Sequence, residues 1–106
     1  MFMIIVTGEF RLPQAITREQ ARELFLSTAP RYQGMAGLLR KHYFLSQDGT
    51  KAGAVYLWKS RADADRCYTD EWRDFVRGKY GTDPSMTYQE CPVVVDNVLN
   101  KIISDA

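Results

Sequence analysis

The sequence predicts an α+β fold in which one four-stranded antiparallel sheet carries two helices on one face. Strand and helix patterns alternate along the 106 residues in the order βαββαβ, which is the first observation behind this prediction. The second is the pair Asp48 and Gly49, which lies between two strand segments and is typical of a tight hairpin turn. The third is a composition of 45% hydrophobic and 25% charged residues, which is typical of a folded chain. We interpret residues 1–106 as one domain.

The first strand and the first helix are predicted from local signals. Residues Phe2 to Phe10 are rich in β-branched and aromatic side chains, and Pro13 closes the segment, so we expect a strand followed by a loop. Thr17 and Gln20 have the spacing of a capping box, in which each side chain satisfies a free backbone N–H at a helix start. We expect this helix to end or kink at Pro30.

Two strands, Leu38 to Leu45 and Ala52 to Trp58, flank the hairpin turn. A second helix is expected to follow from Ser60, which has Asp63 at the spacing of a helix cap. Apolar residues then recur with helical periodicity, with a kink or a restart expected at Thr69-Asp70 and a stop at Gly81.

The last strand is predicted over Met86 to Val95, with Pro92 tolerated only at a sheet edge or a bulge. The tail from Val98 to Ala106 has apolar residues at helical spacing and is expected to dock on a partner as a short amphipathic segment. A disordered terminus is the competing interpretation. Together the elements predict a ferredoxin-like βαββαβ sandwich.

Alternation along the hairpin separates two sets of side chains. With the turn centred on Asp48-Gly49, Tyr43 pairs opposite Ala54 and Lys41 opposite Tyr56. One face then carries Lys41, Tyr43, Tyr56 and Trp58, and the other carries Arg40 and His42. A bulge at Gly49 or Gly53 would exchange the two sets.

The sheet face that carries the aromatic side chains is expected to be covered by another layer. Because two helices cover only one side of the sheet, a face with Tyr56 and Trp58 on the other side would be an exposed apolar patch. We expect a second copy of the chain to cover it, so that the two sheets form a barrel with a pocket in each subunit. The predicted partner is therefore a homodimer mate.

Charge and cysteine content exclude several classes of function. The formal net charge is +1, so no overall field attracts nucleic acid or an anionic membrane. The apolar start, Met1 to Val6, is too short for a signal-peptide core, and we expect a cytoplasmic protein that does not bind membranes. Cys67 and Cys91 form no C-x-x-C motif, so two reduced thiols are expected, with a disulfide as the alternative, and no metal site.

Several blocks together resemble a known family. GLLRKHYFLSQDG, AGAVYLW, YTDEWRDFV, KYG and CPVVVDN, within Gly37 to Asn97, are similar to the YdhR-like mono-oxygenases of the dimeric α/β-barrel superfamily. The resemblance implies a ferredoxin-like protomer, a homodimeric barrel and a pocket between sheet and helices for small aromatic or polyketide-like molecules. Related antibiotic-biosynthesis monooxygenases oxygenate electron-rich phenols without metal or flavin.

The resemblance also carries over to particular residues. Trp58 matches a tryptophan that lies in the pocket of those relatives. The asparagine that they carry on the same strand is absent, and Ala54 precedes Trp58 by two repeats of the pleat. Haem-degrading members of the superfamily use a histidine on the second helix, whereas Ala62 to Lys79 contains none, so haem degradation is not expected.

The leading hypothesis is a cofactor-independent monooxygenase for a small phenol or quinol. A base must deprotonate the substrate, a cation must stabilise the oxyanion, and a dry pocket must protect the peroxide. The catalytic candidates are His42 as base, Arg40 at the oxyanion and Tyr43 beside the ring. The substrate-binding candidates are Lys41, which also suits the oxyanion, Tyr56, Trp58 and Trp72. No cofactor or metal enters this hypothesis.

Each candidate has a structural alternative. His42 could be a strand histidine satisfied by a neighbour, Arg40 and Lys41 could extend to the sheet edge, and Trp58 and Trp72 could be core residues. The chain as a whole could be a non-enzymatic binding or stress-response module, or an isomerase or lactone-handling enzyme. An open cavity of a few hundred Å3 would favour a small-molecule site, and a filled one a structural role.

Overall fold

Four antiparallel strands form the central sheet of the protein. The computed structural model describes residues 2–105. The elements in chain order are β1 (Ile4–Arg11), α1 (Arg18–Tyr32), β2 (Leu38–Leu45), β3 (Lys51–Trp58), α2 (Arg61–Cys67), α3 (Asp70–Tyr80), β4 (Ser85–Glu90), β5 (Val93–Asp96) and β6 (Lys101–Ser104). The sheet order is β2-β3-β1-β4, with β5 and β6 forming a separate hairpin. The predicted α+β fold with its four-stranded antiparallel sheet is confirmed.

Helix α1 begins at the predicted capping box. The backbone N–H of Gln20 donates to Thr17 Oγ1 at 3.1 Å, and the N–H of Thr17 donates to Gln20 Oε1 at 2.9 Å. Pro30 lies inside the helix, which continues to Tyr32. The helix therefore does not end at Pro30, which was one of the two outcomes expected there, and its extension brings Tyr32 over the sheet.

The second helical region is broken in two, so that of the two alternatives at Thr69-Asp70 the restart is observed. Thr69 caps α3, its Oγ1 accepting a hydrogen bond of 3.2 Å from the N–H of Trp72. Helix α3 ends at Gly81, as predicted, because its φ of 81° is a left-handed conformation that glycine adopts without strain.

The end of the chain differs from both predictions made for it. The strand expected over Met86 to Val95 stops at Glu90, since Pro92 has no N–H to continue the ladder. Within residues 98–105 the tail contains a strand in place of the expected helix: β6 pairs antiparallel with β5, and Ile103 lies opposite Val94, whereas Ala106 lies outside the described residues. Adjacent β-branched residues at Ile102 and Ile103 favour a strand over the helix that the apolar spacing indicated.

The core lies between the helices and one face of the sheet. Val6, Ala52 and Trp58 of the sheet and Ala64 of α2 have no more than 1% exposure, and α3 adds the buried Trp72. The opposite sheet face carries half-buried residues, among them Ile5, Val55 and Leu57. We call the first the helix face and the second the open face.

Candidate functional site

The register of the hairpin fixes which side chains share a face. Lys41 lies opposite Tyr56 and Tyr43 opposite Ala54, as predicted from the turn. The irregularity in the ladder lies between Leu38 and Arg40, and not at either of the glycines considered in the sequence. The two predicted sets therefore stand: Lys41, Tyr43, Tyr56 and Trp58 on one face, Arg40 and His42 on the other.

The expectation that the aromatic face is uncovered is wrong. Trp58 is fully buried and Tyr56 is 4% exposed, because α1, α2 and α3 lie over this face. Large aromatic rings bury the most apolar area, so the helices pack on the side that carries them. The open face instead carries Arg40 and His42 with aliphatic side chains.

Aromatic rings from both layers interlock beneath the helices. Trp72 Nε1 donates to the Tyr32 hydroxyl at 2.9 Å, and Trp58 Nε1 donates to the Tyr68 hydroxyl at 3.0 Å. Tyr56 stacks on Trp58 with ring centroids 6.1 Å apart. Burial raises the pKa of Tyr56 and of Tyr68, so both phenols stay protonated near neutral pH. They can donate hydrogen bonds there but cannot act as bases.

Lys41 places its ammonium against three of these rings. Its Nζ lies 3.2 Å from the ring centroid of Tyr32, 4.2 Å from that of Tyr43 and 4.7 Å from that of Tyr56. Burial, and to a lesser degree the charge of Arg31, lowers the pKa of Lys41 to about 7. We call this arrangement of Lys41, Tyr32, Tyr43 and Tyr56 the lysine box.

The ring of Tyr43 is fixed from two sides. Its hydroxyl shares a hydrogen bond of 2.7 Å with Thr28 Oγ1, and the ring stacks on Phe25 with centroids 4.7 Å apart. Both partners belong to α1. The outer wall of the lysine box is therefore held by the helix, and Tyr43 can orient a neighbouring group with little loss of entropy.

The lysine box separates two spaces of different size. The cavity on its inner side, bordered by Tyr56 and Trp72, has a volume of about 10 Å3, room for no more than a single water. A groove of about 260 Å3 lies on its outer side, between the end of α1 and β2, and is bordered by Tyr32, Lys41 and Tyr43. We call it the outer groove. Lys41 lines both spaces.

A second cleft lies on the open face. It has a volume of about 470 Å3, with Arg40, His42, Val55 and Leu57 on the sheet side and β5 on the other. Arg40 forms an ion pair with Asp96 of β5.

The carboxylate of Asp96 is also held by the chain that follows it. Its Oδ1 accepts 3.0 Å hydrogen bonds from the N–H groups of Val98 and Leu99, an arrangement typical of an Asx turn at the end of a strand. The Leu99 hydrogen bond, with help from Arg40, holds the pKa of Asp96 below its ordinary value.

The predicted site residues therefore fall into two groups. Lys41, Tyr43, Tyr56 and Trp72 meet around the lysine box, and Trp58 supports it through its stack on Tyr56. Arg40 and His42 lie in the open-face cleft, but Arg40 also borders the outer groove beside Tyr43, so of the two only His42 is out of reach of a ring held there. Sequence reasoning missed Tyr32, because the helix was expected to end or kink at Pro30. Its position four residues after Thr28 was the signal that could have found it.

Within residues 2–105, no group of three or more His, Cys, Asp or Glu side chains is placed to hold a metal ion. Cys67 and Cys91 are free thiols, as the preferred interpretation expected. Burial raises the pKa of Cys67 to about 11, so its reactive thiolate is scarce at neutral pH. None of the described helices has the length and apolarity needed to cross a membrane.

The fold is shared with several solved proteins. A monooxygenase from the ActVA-Orf6 gene of Streptomyces coelicolor, in complex with nanaomycin D, has a TM-score of 0.64 and 18% identity over 85% of this chain and 88% of that one. A Caulobacter crescentus protein, named as a candidate antibiotic biosynthesis monooxygenase, has a TM-score of 0.64 and 18% identity over 85% and 90%. A Shewanella oneidensis protein has a TM-score of 0.66 and 16% identity over 85% and 91%.

No protein-family model matches the sequence, and no curated protein sequence matches it. The structural likenesses confirm the ferredoxin-like fold, which these monooxygenases share. Membership of the YdhR-like group stays a prediction. At such identities the likeness concerns the fold, and the chemistry has to be argued from the site.

Proposed function

We propose that the protein is a cofactor-independent monooxygenase for a small phenol or quinol that binds in the outer groove. The observation that carries the proposal is the lysine box, in which a partly buried amine lies among phenol rings at the edge of a groove of about 260 Å3. A benzene ring fits a closed cavity of about 150 Å3, so this groove has room for one substituted ring. The Streptomyces coelicolor monooxygenase of the same fold was solved with nanaomycin D, an observation about that protein that favours an aromatic ligand here.

Lys41 takes two roles in this proposal. Because burial brings the pKa of Lys41 to about 7, about half of the amine is neutral at neutral pH and can accept the phenolic proton. The ammonium formed then lies beside the phenolate oxygen and stabilises its charge. Lys41 thereby replaces His42 as the base, since His42 faces the open side of the sheet.

The remaining chemistry belongs to the substrate and to dioxygen. The electron-rich ring carbon para to the phenolate transfers electrons to O2 and forms a carbon-bound hydroperoxide. Loss of water from this intermediate leaves a carbonyl, so that one oxygen atom enters the product and the other leaves as water. The chain contributes by orienting the ring through Tyr43 and by shielding part of it from water with Tyr32 and Leu38 of the groove wall.

Oxygen consumption with a panel of simple phenols and quinols tests the proposal. We expect uptake of one O2 per product, and a loss of about 10²-fold or more in kcat/KM in the Lys41→Met variant. The matched control is Lys59→Met, which removes an exposed lysine near the end of the same hairpin. Wild-type protein that consumes no oxygen with any member of the panel, or a Lys41→Met variant as active as Lys59→Met, would contradict the proposal.

A non-enzymatic ligand-binding module is the second candidate. The inner cavity of about 10 Å3 favours a non-catalytic role, because the aromatic side chains fill the enclosed space in which a reaction would be shielded from water, and it leaves the outer groove as the place for a bound ligand. Quenching of tryptophan fluorescence by an aromatic compound, without any oxygen uptake or product, would identify this function. Binding accompanied by product would exclude it.

We also propose that a second copy of the chain covers the open face. Ile5, Val55 and Leu57 form an apolar centre there, and Val93 and Val95 of β5 are 55% and 65% exposed beside it. A two-fold axis brings the same patch of both copies together, and the net charge of +1 opposes this only weakly. We expect light scattering at micromolar concentration to give twice the chain mass, and Leu57→Asp to give the monomer mass. A wild-type protein that is monomeric under these conditions would contradict the proposal that a second copy covers the open face.

A further inference from the structure

The head group of Lys41 is the unusual feature of the lysine box. A lysine that merely packs its stem on a sheet extends its ammonium into water. Here the ammonium itself lies between 3.2 and 4.7 Å from three ring centroids. Within residues 2–105, no carboxylate lies within 4.0 Å of this ammonium, whereas arginine side chains form five ion pairs with aspartates. Leucine or methionine would fill the same space without the free-energy cost of burying a charge.

An amine in such a place is a nucleophile as well as a base. Desolvation in an apolar pocket is one of the two ways in which proteins activate lysine toward carbonyl compounds. Lys41 lines the outer groove together with Tyr32 and Tyr43, the two rings nearest to its Nζ, so the groove offers a carbonyl carbon a path to the amine. We propose that Lys41 condenses with small aldehydes and ketones bound in the outer groove and forms a Schiff base with them.

The step is balanced without any further reactant. The neutral amine of Lys41 adds to the carbonyl carbon, and a proton moves from nitrogen to oxygen to give a carbinolamine. Loss of the hydroxyl as water then forms the C=N bond. Protonation of the nitrogen gives an iminium cation, which occupies the position of the former ammonium. The rings of Tyr32, Tyr43 and Tyr56 stabilise this cation by the same cation–π contacts.

The surroundings define the class of carbonyl compound. A groove of about 260 Å3 limits the ligand to a short aliphatic chain or one ring. Tyr32, Leu38 and Tyr43 along its wall favour an apolar substituent, and Gln33 and Arg40 on the same wall offer polar contacts at its edge. The groups that face Lys41 are Arg31 and Tyr32 of α1, Tyr43 of β2, Tyr56 of β3 and Cys67 of α2. None of them is a carboxylate, so no ion pair holds the amine in its protonated form.

This inference goes beyond the proposed oxygenation and does not depend on it. Oxygenation needs a phenol and O2, whereas Schiff-base formation needs only the amine and a carbonyl. The two share Lys41 but have different products. Either can therefore fail while the other stands.

Reductive trapping of the wild-type protein tests the inference. The full chain is exposed briefly to benzaldehyde or acetaldehyde with cyanoborohydride between pH 6 and pH 8, and the adducts are located by peptide mapping. A lysine of pKa about 7 has a neutral fraction at pH 7 on the order of 10³ times that of an ordinary lysine. We expect one reduced adduct per chain, on Lys41, with an initial rate that is half-maximal near pH 7. The α-amino group, with an ordinary pKa of about 8, serves as an internal reference.

Two variants separate reactivity from folding. Lys41→Arg keeps a cation in the lysine box and removes the nucleophile, so the adduct on the hairpin should disappear while the far-ultraviolet spectrum is unchanged. Lys59→Met should leave the adduct on Lys41 in place. Labelling of Lys59 at a rate equal to that of Lys41 in the wild-type protein would overturn the inference. So would labelling of the α-amino group alone.

Discussion

The two faces of the sheet are built from the same strands but carry different chemistry. On the helix face, β3 contributes Tyr56 and Trp58, which are buried and hydrogen-bonded or stacked within an aromatic cluster. On the open face, the same strand contributes Val55 and Leu57 with charged residues around them. The helix face has the properties of a core with one reactive group inserted. The open face has those of an interface, an apolar centre with a charged rim.

Neighbouring residues of β3 provide the sharpest contrast between the faces. Trp58→Ala removes a fully buried side chain and is expected to lower the free energy of unfolding by about 3 to 5 kcal/mol. Leu57→Ala removes a half-buried one and is expected to cost about 1 kcal/mol at low protein concentration. Urea denaturation of both variants measures the difference.

The protein concentration distinguishes the two effects further. Because we assign Leu57 to the interface between copies, the cost of Leu57→Ala should grow as the concentration rises into the range of the wild-type dimer. The cost of Trp58→Ala should not depend on concentration in the same way. Equal costs for both variants at every concentration would mean that the faces do not differ as described.

Local signals in the sequence were sufficient for the elements near them. The capping box at Thr17 and the turn at Asp48-Gly49 depend on neighbouring residues only, and both are found as expected. The pairing of Lys41 with Tyr56 followed from the turn. Which face the helices cover did not follow, because both faces of β3 are apolar and alternation alone does not rank them. The larger apolar area of the Tyr56 and Trp58 rings decides it.

The site itself depended on longer-range contacts. Lys41 was identified as a candidate, but its partner Tyr32 lies on a different element, two residues beyond a proline. The β5 and β6 hairpin also required a contact that periodicity does not encode, since helical spacing and strand pairing both fit two adjacent isoleucines.

The pH dependence of the free energy of unfolding should show, without any ligand, that Lys41 is buried on the helix face. Its pKa in the folded protein is lowered to about 7, whereas an unfolded lysine has a pKa near 10.4, so between these values the unfolded state binds more protons. Stability should therefore rise with pH, by about 2 kcal/mol from pH 7 to pH 9. The raised pKa of Cys67 acts in the opposite direction above pH 8.

The measurement is therefore the difference between wild-type protein and Lys41→Met, obtained by urea denaturation at both values of pH. We expect the gap between the two proteins to change by about 2 kcal/mol in favour of the wild type at the higher pH. A gap that is constant across this range would mean that the Lys41 ammonium is as hydrated in the folded state as in the unfolded one. The base and nucleophile assigned to the lysine box would then have no special reactivity.

The smallest effect is expected at the rim of the open face. Arg40 is about half exposed, so its ion pair with Asp96 should contribute little to global stability and should act mainly by holding the β5 and β6 hairpin near the sheet. Arg40→Gln is expected to speed hydrogen exchange of the hairpin amides about two- to fivefold and to leave β1 and β3 unchanged.

Asp96→Asn is the matched variant, because its amide oxygen can still accept from Val98 and Leu99. Equal acceleration in Arg40→Gln and Asp96→Asn would mean that the ion pair holds the hairpin. Asp96→Ala also removes the acceptor of the Asx turn, so acceleration in that variant alone would mean that the turn holds the hairpin. Since the pKa of Asp96 is lowered in the folded protein, the contribution should be complete above the ordinary pKa of a carboxyl and disappear as the pH falls through the lowered one.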